Sequence, residues 1–325
     1  MPSPTLAVIG GTGFAGAATV DALVAAGHSV RVIARHAPSS PRALVEGFAA
    51  NAADANSLTP ALEGITTAVL CARPDYWRWP TELVPMFASV LEAARRTGTR
   101  LVLCDNLYAY GIPDGPLTET SPLQPHGPKG RARKEGAELM MKAHELGEVQ
   151  VAIGRAADFF GPGVDSPNLK MLFGAALQGK TVRVLGEGNT PHSISFIRDV
   201  GVGLATLALH DEAFGNMWHL PVAPPLTELE QARRIVSLAA TGASVGQLPT
   251  WAVHAMFKVM GLFSPMMREL PEVWYQHEQP FVVDDSRFVK AFGVRATDLD
   301  TACLETLAFW RTKLGLVEQP SARAA

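Results

Sequence analysis

The sequence predicts an α/β fold: a doubly wound parallel sheet with a smaller, mixed C-terminal portion. Three observations point there. Through the first 160 residues, short β-branched apolar runs alternate with longer alanine-rich segments, the rhythm of strands joined by helical crossovers. The runs lack polar alternation, as strands covered on both faces do. The first run also leads directly into a glycine-rich turn, "LAVIGGTGFAG" at 6–16.

Taken in order, LAVI at 6–9 reads as a strand and the alanine-rich stretch 14–26 as a helix. VRVIA at 30–34 and AVLC at 68–71 are the next strands, with a helix expected over 81–97. LVLC at 101–104, a helix over 131–146 and VAIG at 151–154 complete the alternation. After "FFGPG" at 159–163 the rhythm breaks, and Pro, Met and Phe become frequent from 221 to 281. We therefore expect a dinucleotide-binding unit over 1–160, joined by 194–220, and a substrate-holding portion formed by 161–193 and 221–325.

Composition narrows the function. At 325 residues the chain suits one large domain or two smaller ones. A net charge of -3 gives no electrostatic reason to expect nucleic acid or an anionic membrane as partner. Three cysteines, Cys71, Cys104 and Cys303, are an odd number and read as reduced thiols. No Cys/His spacing matches a zinc site, and no metal is expected. The N-terminus lacks a basic, apolar leader. The apolar stretch 251–267 is too short for a span and contains Lys258. A cytoplasmic protein acting on a small molecule is expected.

The turn at 10–16 places Gly10, Gly13 and Gly16 around Thr12 and Phe14, between a strand and a helix. Glycine permits the sharp turn, close approach of backbone to pyrophosphate, and tight helix packing. The helix N-terminus then faces the phosphates. The end of the second strand chooses the dinucleotide. An acidic residue there would accept the ribose hydroxyls of NAD, whereas this chain has Arg35 and His36, followed by Ser39 and Ser40. Guanidinium holds a 2′-phosphate bidentately, so NADP is expected over NAD. A solvated surface arginine is the alternative.

These features, over nearly the full length, resemble the extended short-chain dehydrogenase/reductases of the NAD-dependent epimerase/dehydratase type, built on a Rossmann sheet. "GGTGFAG" is similar to that family's GxxGxxG turn. "NAAD" at 51–54 sits where the family has an acidic motif contacting adenine, which implies that Asn51 and Ala52 lie against the base. "LCARP" at 70–74 matches the end of the fourth family strand and implies cofactor contacts by Cys71, Ala72 and Arg73. "DNLYAYG" at 105–111 takes the place of SSxxVYG, and "RAADFFGPG" at 155–163 that of RPxxxYGPG. "VLGEGNTPHSISFIRDVG" (184–201) and "FVVDDSRFVKAFG" (281–293) match two later landmarks.

The family's catalytic residues are a Ser/Thr and the Tyr and Lys of YxxxK. Here the frame "ETSPLQPHGPKGRARKEGAE" at 119–138 aligns, but Lys129 stands at the tyrosine position and Arg133 at the lysine position. Asn106 occupies the Ser/Thr place. All three members are replaced, which puts the family's ordinary proton chemistry in doubt. The resemblance leaves Arg133 the nicotinamide-ribose contact. It also implies a homodimer through the helices 81–97 and 131–146, the second carrying an apolar stripe of Leu139, Met140 and Ala143.

Tyr108 and Tyr110 follow the fifth strand, and the whole chain has only 4 tyrosines. Residues two apart on a strand share a side, so both are expected at the ligand crevice. Tyr110 would serve as proton donor, its pKa lowered by Lys129 and Arg133. Lys129 as the acid, or tyrosines that only line the site, are alternatives. In "PDYWRWP" at 74–80, Tyr76, Trp77 and Trp79 suggest an apolar wall or simple loop packing. Phe159 and His192 are further pocket candidates. Sugar-nucleotide enzymes of the family usually carry arginine in the stretch 190–196, where this chain has His192.

The leading expectation is an NADPH-dependent reductase transferring hydride to a small, mainly apolar carbonyl or conjugated alkene. A cofactor-retaining epimerase or dehydratase on a sugar derivative and a non-catalytic NADP sensor are the alternatives.

Overall fold

The computed structural model describes residues 5–36 and 42–316. Strand β1 (Leu6–Ile9) leads into α1 (Phe14–Ala25), and β2 (Val30–Ala34) is followed by β3 (Val45–Ala49) and α2 (Ala55–Leu62). Next come β4 (Thr67–Leu70), a 3-10 turn (Tyr76–Arg78), α3 (Trp79–Thr97), β5 (Arg100–Asp105), α4 (Gly127–Glu145) and β6 (Val151–Arg155). The alternation places α1 at its expected start and α3 and α4 two and four residues before theirs. It misses β3 and α2. The first is a partly exposed edge strand containing Glu46 and Gly47, and the second contains Pro60, so neither carries a clean period.

The remainder is less regular. It comprises β7 (Asp158–Phe160), α5 (Pro167–Leu169), a π turn, α6 (Ala175–Leu177), β8 (Val182–Leu185), β9 (Pro191–His192) and β10 (Ile194–Phe196). Then α7 (Ile197–Leu209) and β11 (Met217–His219) return to the main sheet before β12 (Leu226–Thr227), α8 (Glu228–Ala239) and β13 (Val245–Leu248). The described residues end with α9 (Thr250–Met260), α10 (Pro265–Glu269), a 3-10 turn (Leu270–Val273), α11 (Tyr275–Glu278), α12 (Ser286–Phe292) and α13 (Leu299–Lys313).

Among the described residues the main sheet has 7 strands in the order β11-β6-β5-β4-β1-β2-β3, and each of their pairings is parallel, with Leu6 opposite both Val30 and Thr67. Successive residues of β1 face opposite ways. Leu6 and Val8 join a core with α1 and α7, while Ala7 and Ile9 join one beneath α2, α3 and α4. This double coverage explains the continuous apolar runs. Strand order reverses between β1 and β4, which opens a crevice at their C-terminal ends.

One expectation about α4 needs correcting. Met140 and Ala143 are buried in this chain's own core, and Leu139 packs against it, so the stripe is filled internally. A homodimer then rests on the resemblance alone. Among the described residues, no helix is long and apolar enough to cross a membrane.

Candidate functional site

The crevice is a cleft of about 1000 Å³ at the strand ends. Its first wall is the glycine turn, contributing Gly10, Thr12, Gly13 and Phe14. Gly10 has φ +84°, and a Cβ there would lie 2.5 Å from the Ala72 nitrogen. A Cβ on Gly16 would lie 2.2 Å from the Gly10 oxygen, so Gly16 seats α1 on the turn. Helix α1 starts after Gly13 without a side-chain cap, leaving its first amides for a ligand. This cradle fits a dinucleotide pyrophosphate.

Arg35 lines the cleft beyond β2, and Asn51 and Ala52 line it beyond β3. His36 is exposed and outside the lining; Ser39 and Ser40 lie outside the described residues. Cys71, Ala72 and Arg73 form the floor beyond β4. The Cys71 thiol contacts Cys104, and that contact together with burial pushes it well above the ordinary thiol range. Both remain free thiols.

At the far end, Arg133 lies 4.0 Å from the centre of the Trp79 ring, with Arg73 5.7 Å from the same ring. Burial, then the neighbouring Arg133 charge, lowers the Arg73 guanidinium pKa. Asp105 orients Arg133 by accepting from its Nη1 at 3.1 Å, and its second oxygen accepts from Arg155 Nε at 3.1 Å. The Arg133 Nε is buried without a partner among the described residues, a donor available to a ribose hydroxyl. Burial and loss of all hydrogen bonds are otherwise unfavourable together.

The tyrosine pair divides. After β5 the chain leaves the strand: the Tyr108 amide donates to Asn106 Oδ1 at 3.2 Å and the Tyr110 amide to the Leu107 carbonyl at 3.0 Å. In this tight turn the two-residue period no longer holds. Tyr108 and Asn106 line the cleft, whereas Tyr110 is 2% exposed and outside it. The Tyr110 hydroxyl lies 2.8 Å from His219 Nε2, and Arg155 lies 4.7 Å from its ring centre. Burial raises the Tyr110 pKa despite Arg155. Tyr110 therefore does not reach the cleft as a proton donor, and Lys129 and Arg133 do not activate it.

Lys129 is also displaced from that role. It is fully buried, its amide donates to Glu272 Oε1 at 2.6 Å, and its ammonium pairs with Glu269 and, at 2.7 Å, with Glu272. It is absent from the cleft lining. Engaged by two carboxylates and away from the cleft, the ammonium is not placed to protonate a substrate, contrary to the expectation of a lysine acid.

Tyr76 and Trp79 do line the cleft, but Trp77 is 46% exposed and lies outside it. The Tyr76 hydroxyl donates to the Tyr108 hydroxyl at 3.4 Å. Burial raises both phenols above the ordinary tyrosine range, so they are neutral donors rather than phenolates. Phe159, Met86 and Met266 add apolar surface.

Sequence reasoning missed Asp158, which lines the cleft from the start of β7. Its place three residues past β6 was the available signal, since such ends feed the crevice. His192 stands behind it, 3% exposed and outside the lining, with Nε2 3.3 Å from Asp158 Oδ2. His192, Glu228 and His277 also bring one ligand-type atom each within 4.8 Å of one another. However, the two rings stack at 4.9 Å with only 9° between planes. In-plane lone pairs of parallel rings do not converge on one ion, and His277 Nδ1 already bonds Glu228.

The parallel sheet, the glycine turn and the cleft at the strand reversal define a protein of the extended short-chain dehydrogenase/reductase class. The chain belongs to the NAD dependent epimerase/dehydratase family, whose model matches residues 6–219. It is 30% identical over 156 residues to the dTDP-glucose 4,6-dehydratase of Streptomyces niveus, covering 47% of this chain and 46% of that protein. It thus spans about half the length of that relative. It is 26% identical over 283 residues to the decarboxylating sterol-4-alpha-carboxylate 3-dehydrogenase of Mus musculus, covering 82% and 77% of the two chains. A dTDP-glucose 4,6-dehydratase from Streptomyces venezuelae, solved with NAD and TYD bound, superposes with TM-score 0.76 at 20% identity, covering 96% of this chain and 98% of that one. That likeness is one of fold.

Proposed function

We propose that the protein is an NADPH-dependent oxidoreductase that reduces the carbonyl or conjugated alkene of a small, mainly apolar substrate. The observation that carries the reading is the neutral Tyr76–Tyr108 hydroxyl pair facing the cleft where a tyrosinate and lysine would otherwise work. Bound NADPH would supply the hydride. Tyr108, accepting from Tyr76, donates to the substrate oxygen and stabilises the charge that develops there. Arg133, fixed by Asp105 and Trp79, holds the ribose, and Arg35 pairs with the 2′-phosphate. Trp79, Phe159 and Met266 exclude water from the apolar body. The similarity to a sterol dehydrogenase supports an apolar substrate.

The test is NADPH oxidation against a panel of apolar ketones, aldehydes and enones. Tyr108→Phe removes one oxyanion donor and should lower kcat by about a hundred- to a thousandfold, with NADPH affinity unchanged. Full turnover by Tyr108→Phe refutes the assignment. The match to a sugar-nucleotide dehydratase favours a second reading, a cofactor-retaining epimerase or dehydratase. Conversion of a nucleotide sugar without net NADPH consumption would establish it.

A further inference from the structure

The His192 ring carries a constraint on its protons. Its Nδ1 lies 3.0 Å from the Gln276 backbone oxygen, and a carbonyl only accepts, so Nδ1 bears a hydrogen. In a neutral ring Nε2 would then be a bare acceptor. Yet Nε2 faces the Asp158 carboxylate at 3.3 Å, and an acceptor does not bind an acceptor. One additional proton belongs between them. Asp158 is half exposed, but its exposed surface opens into the cleft, while His192 is sealed behind it.

We infer that Asp158 and His192 share one proton and deliver it to the substrate in the cleft. Asp158 is the catalytic residue of this pair, and His192 is a positioning residue. The inference deepens the reductive reading above. In carbonyl reduction the C=O π bond would break, carbon would gain the hydride of bound NADPH, and oxygen would gain the shared proton, passed from His192 Nε2 across the Asp158 carboxylate. NADPH is oxidised and the carbonyl reduced. His192 is left neutral with Nδ1 still protonated, and water in the cleft reprotonates Nε2 through Asp158.

The surroundings are consistent with this. From α11 and α8, His277 stacks on His192 and is itself bonded to Glu228. Tyr76, Tyr108 and Tyr275 feel the Asp158 charge, which adds to burial in keeping them un-ionised. Glu269 and Glu272, on the far side of Tyr76, are paired with Lys129. Burial pushes the His192 ring down, but the Asp158 hydrogen bond and charge outweigh it, and the ring ends above its usual 6.5. Asp158 is raised by desolvation and lowered more by His192, ending below its usual 3.8. The charged pair is therefore present between the lowered Asp158 value and the raised His192 value, and is lost as pH rises through the latter.

Two measurements on the full chain test this. Nitrogen-15 NMR of the histidine side chains, with His192 assigned by its loss in His192→Gln, should show both ring nitrogens protonated at pH 7. Asp158→Asn should lower the His192 midpoint by at least about one unit, as expected when an opposing charge is removed. A neutral His192 in the wild type, or a midpoint unmoved by Asp158→Asn, overturns the shared proton. The wild-type spectrum decides this even if the variant fails to fold. With a turned-over ketone, Asp158→Asn should slow kcat by about a hundred- to ten-thousandfold and remove the alkaline limb of its pH profile. Unchanged kcat in a folded variant overturns proton delivery. A wild type inert on the whole panel refutes the reductive reading instead, while the NMR titration still decides the pair.

Discussion

Asp105→Asn tests the clamp that orients the cofactor end of the cleft. The carboxylate is 3% exposed and accepts from two guanidinium groups, Arg133 and Arg155, each at 3.1 Å. Arg155 is 0% exposed, and its Nη1 and Nη2 have no partner among the described residues. It therefore depends on Asp105 for compensation. Two charge-assisted bonds at about 1.5–3 kcal/mol each give about 3–6 kcal/mol. Breaking a buried pair from one side costs about 3–5 kcal/mol. The overlap sets the expected loss at about 3–5 kcal/mol, measured by urea unfolding at pH 7. Arg155→Met added to Asp105→Asn should recover part of that loss, because the most deeply stranded cation is gone. Calorimetry should show weaker NADPH binding in Asp105→Asn, since Arg133 is no longer held. A stability loss below about 1 kcal/mol, the range of an ordinary surface pair, would refute the reasoning.

Further outcomes follow from the cofactor and lysine assignments. Arg35→Asp should weaken NADPH binding by about ten- to a hundredfold, the equivalent of one charge-assisted bond; wild-type protein binding NADH more tightly than NADPH in calorimetry would overturn the NADP assignment. Lys129→Met should lower stability by about 3 kcal/mol, the lower end for a broken buried pair because its carboxylates are partly exposed. Hydrogen exchange should quicken across 265–273. The pH profile of turnover should keep its shape, and a lost limb there would return Lys129 to the chemistry.

What the sequence disclosed follows the range of the interactions involved. The glycine turn and the strand ends were legible because β1, Gly10 and α1 are contiguous and their chemistry is local. Tyr110 was misjudged because an Asx turn at Asn106 ends the strand period, leaving Tyr108 in the cleft and turning Tyr110 away from it. Lys129 was misread because its partners, Glu269 and Glu272, stand 140 and 143 residues away. The stripe on α4 had the right period, yet periodicity cannot say whether an apolar face meets its own sheet or another subunit. Asp158 was visible as a strand-end residue, but its link to His192 comes from the pairing of β7 with β10 and from the placement of α11.

Lys129 also makes the altered catalytic frame hard to reverse. Its ammonium ties α4 to Glu269 of α10, the helix whose Met266 lines the cleft, and to Glu272 in the turn after it. A tyrosine reinstated at 129 would leave Glu269 and Glu272 repelling each other beside a phenol. A lysine at 133 would give up the guanidinium that lies 4.0 Å from the centre of the Trp79 ring while bonding Asp105. Each single change toward the family pattern is therefore unfavourable, because the neighbours fit the residues this chain carries. The two positions thus act as structural ties: Lys129 joins α4 to α10 and the turn after it, and Arg133 joins α4 to β5 and α3.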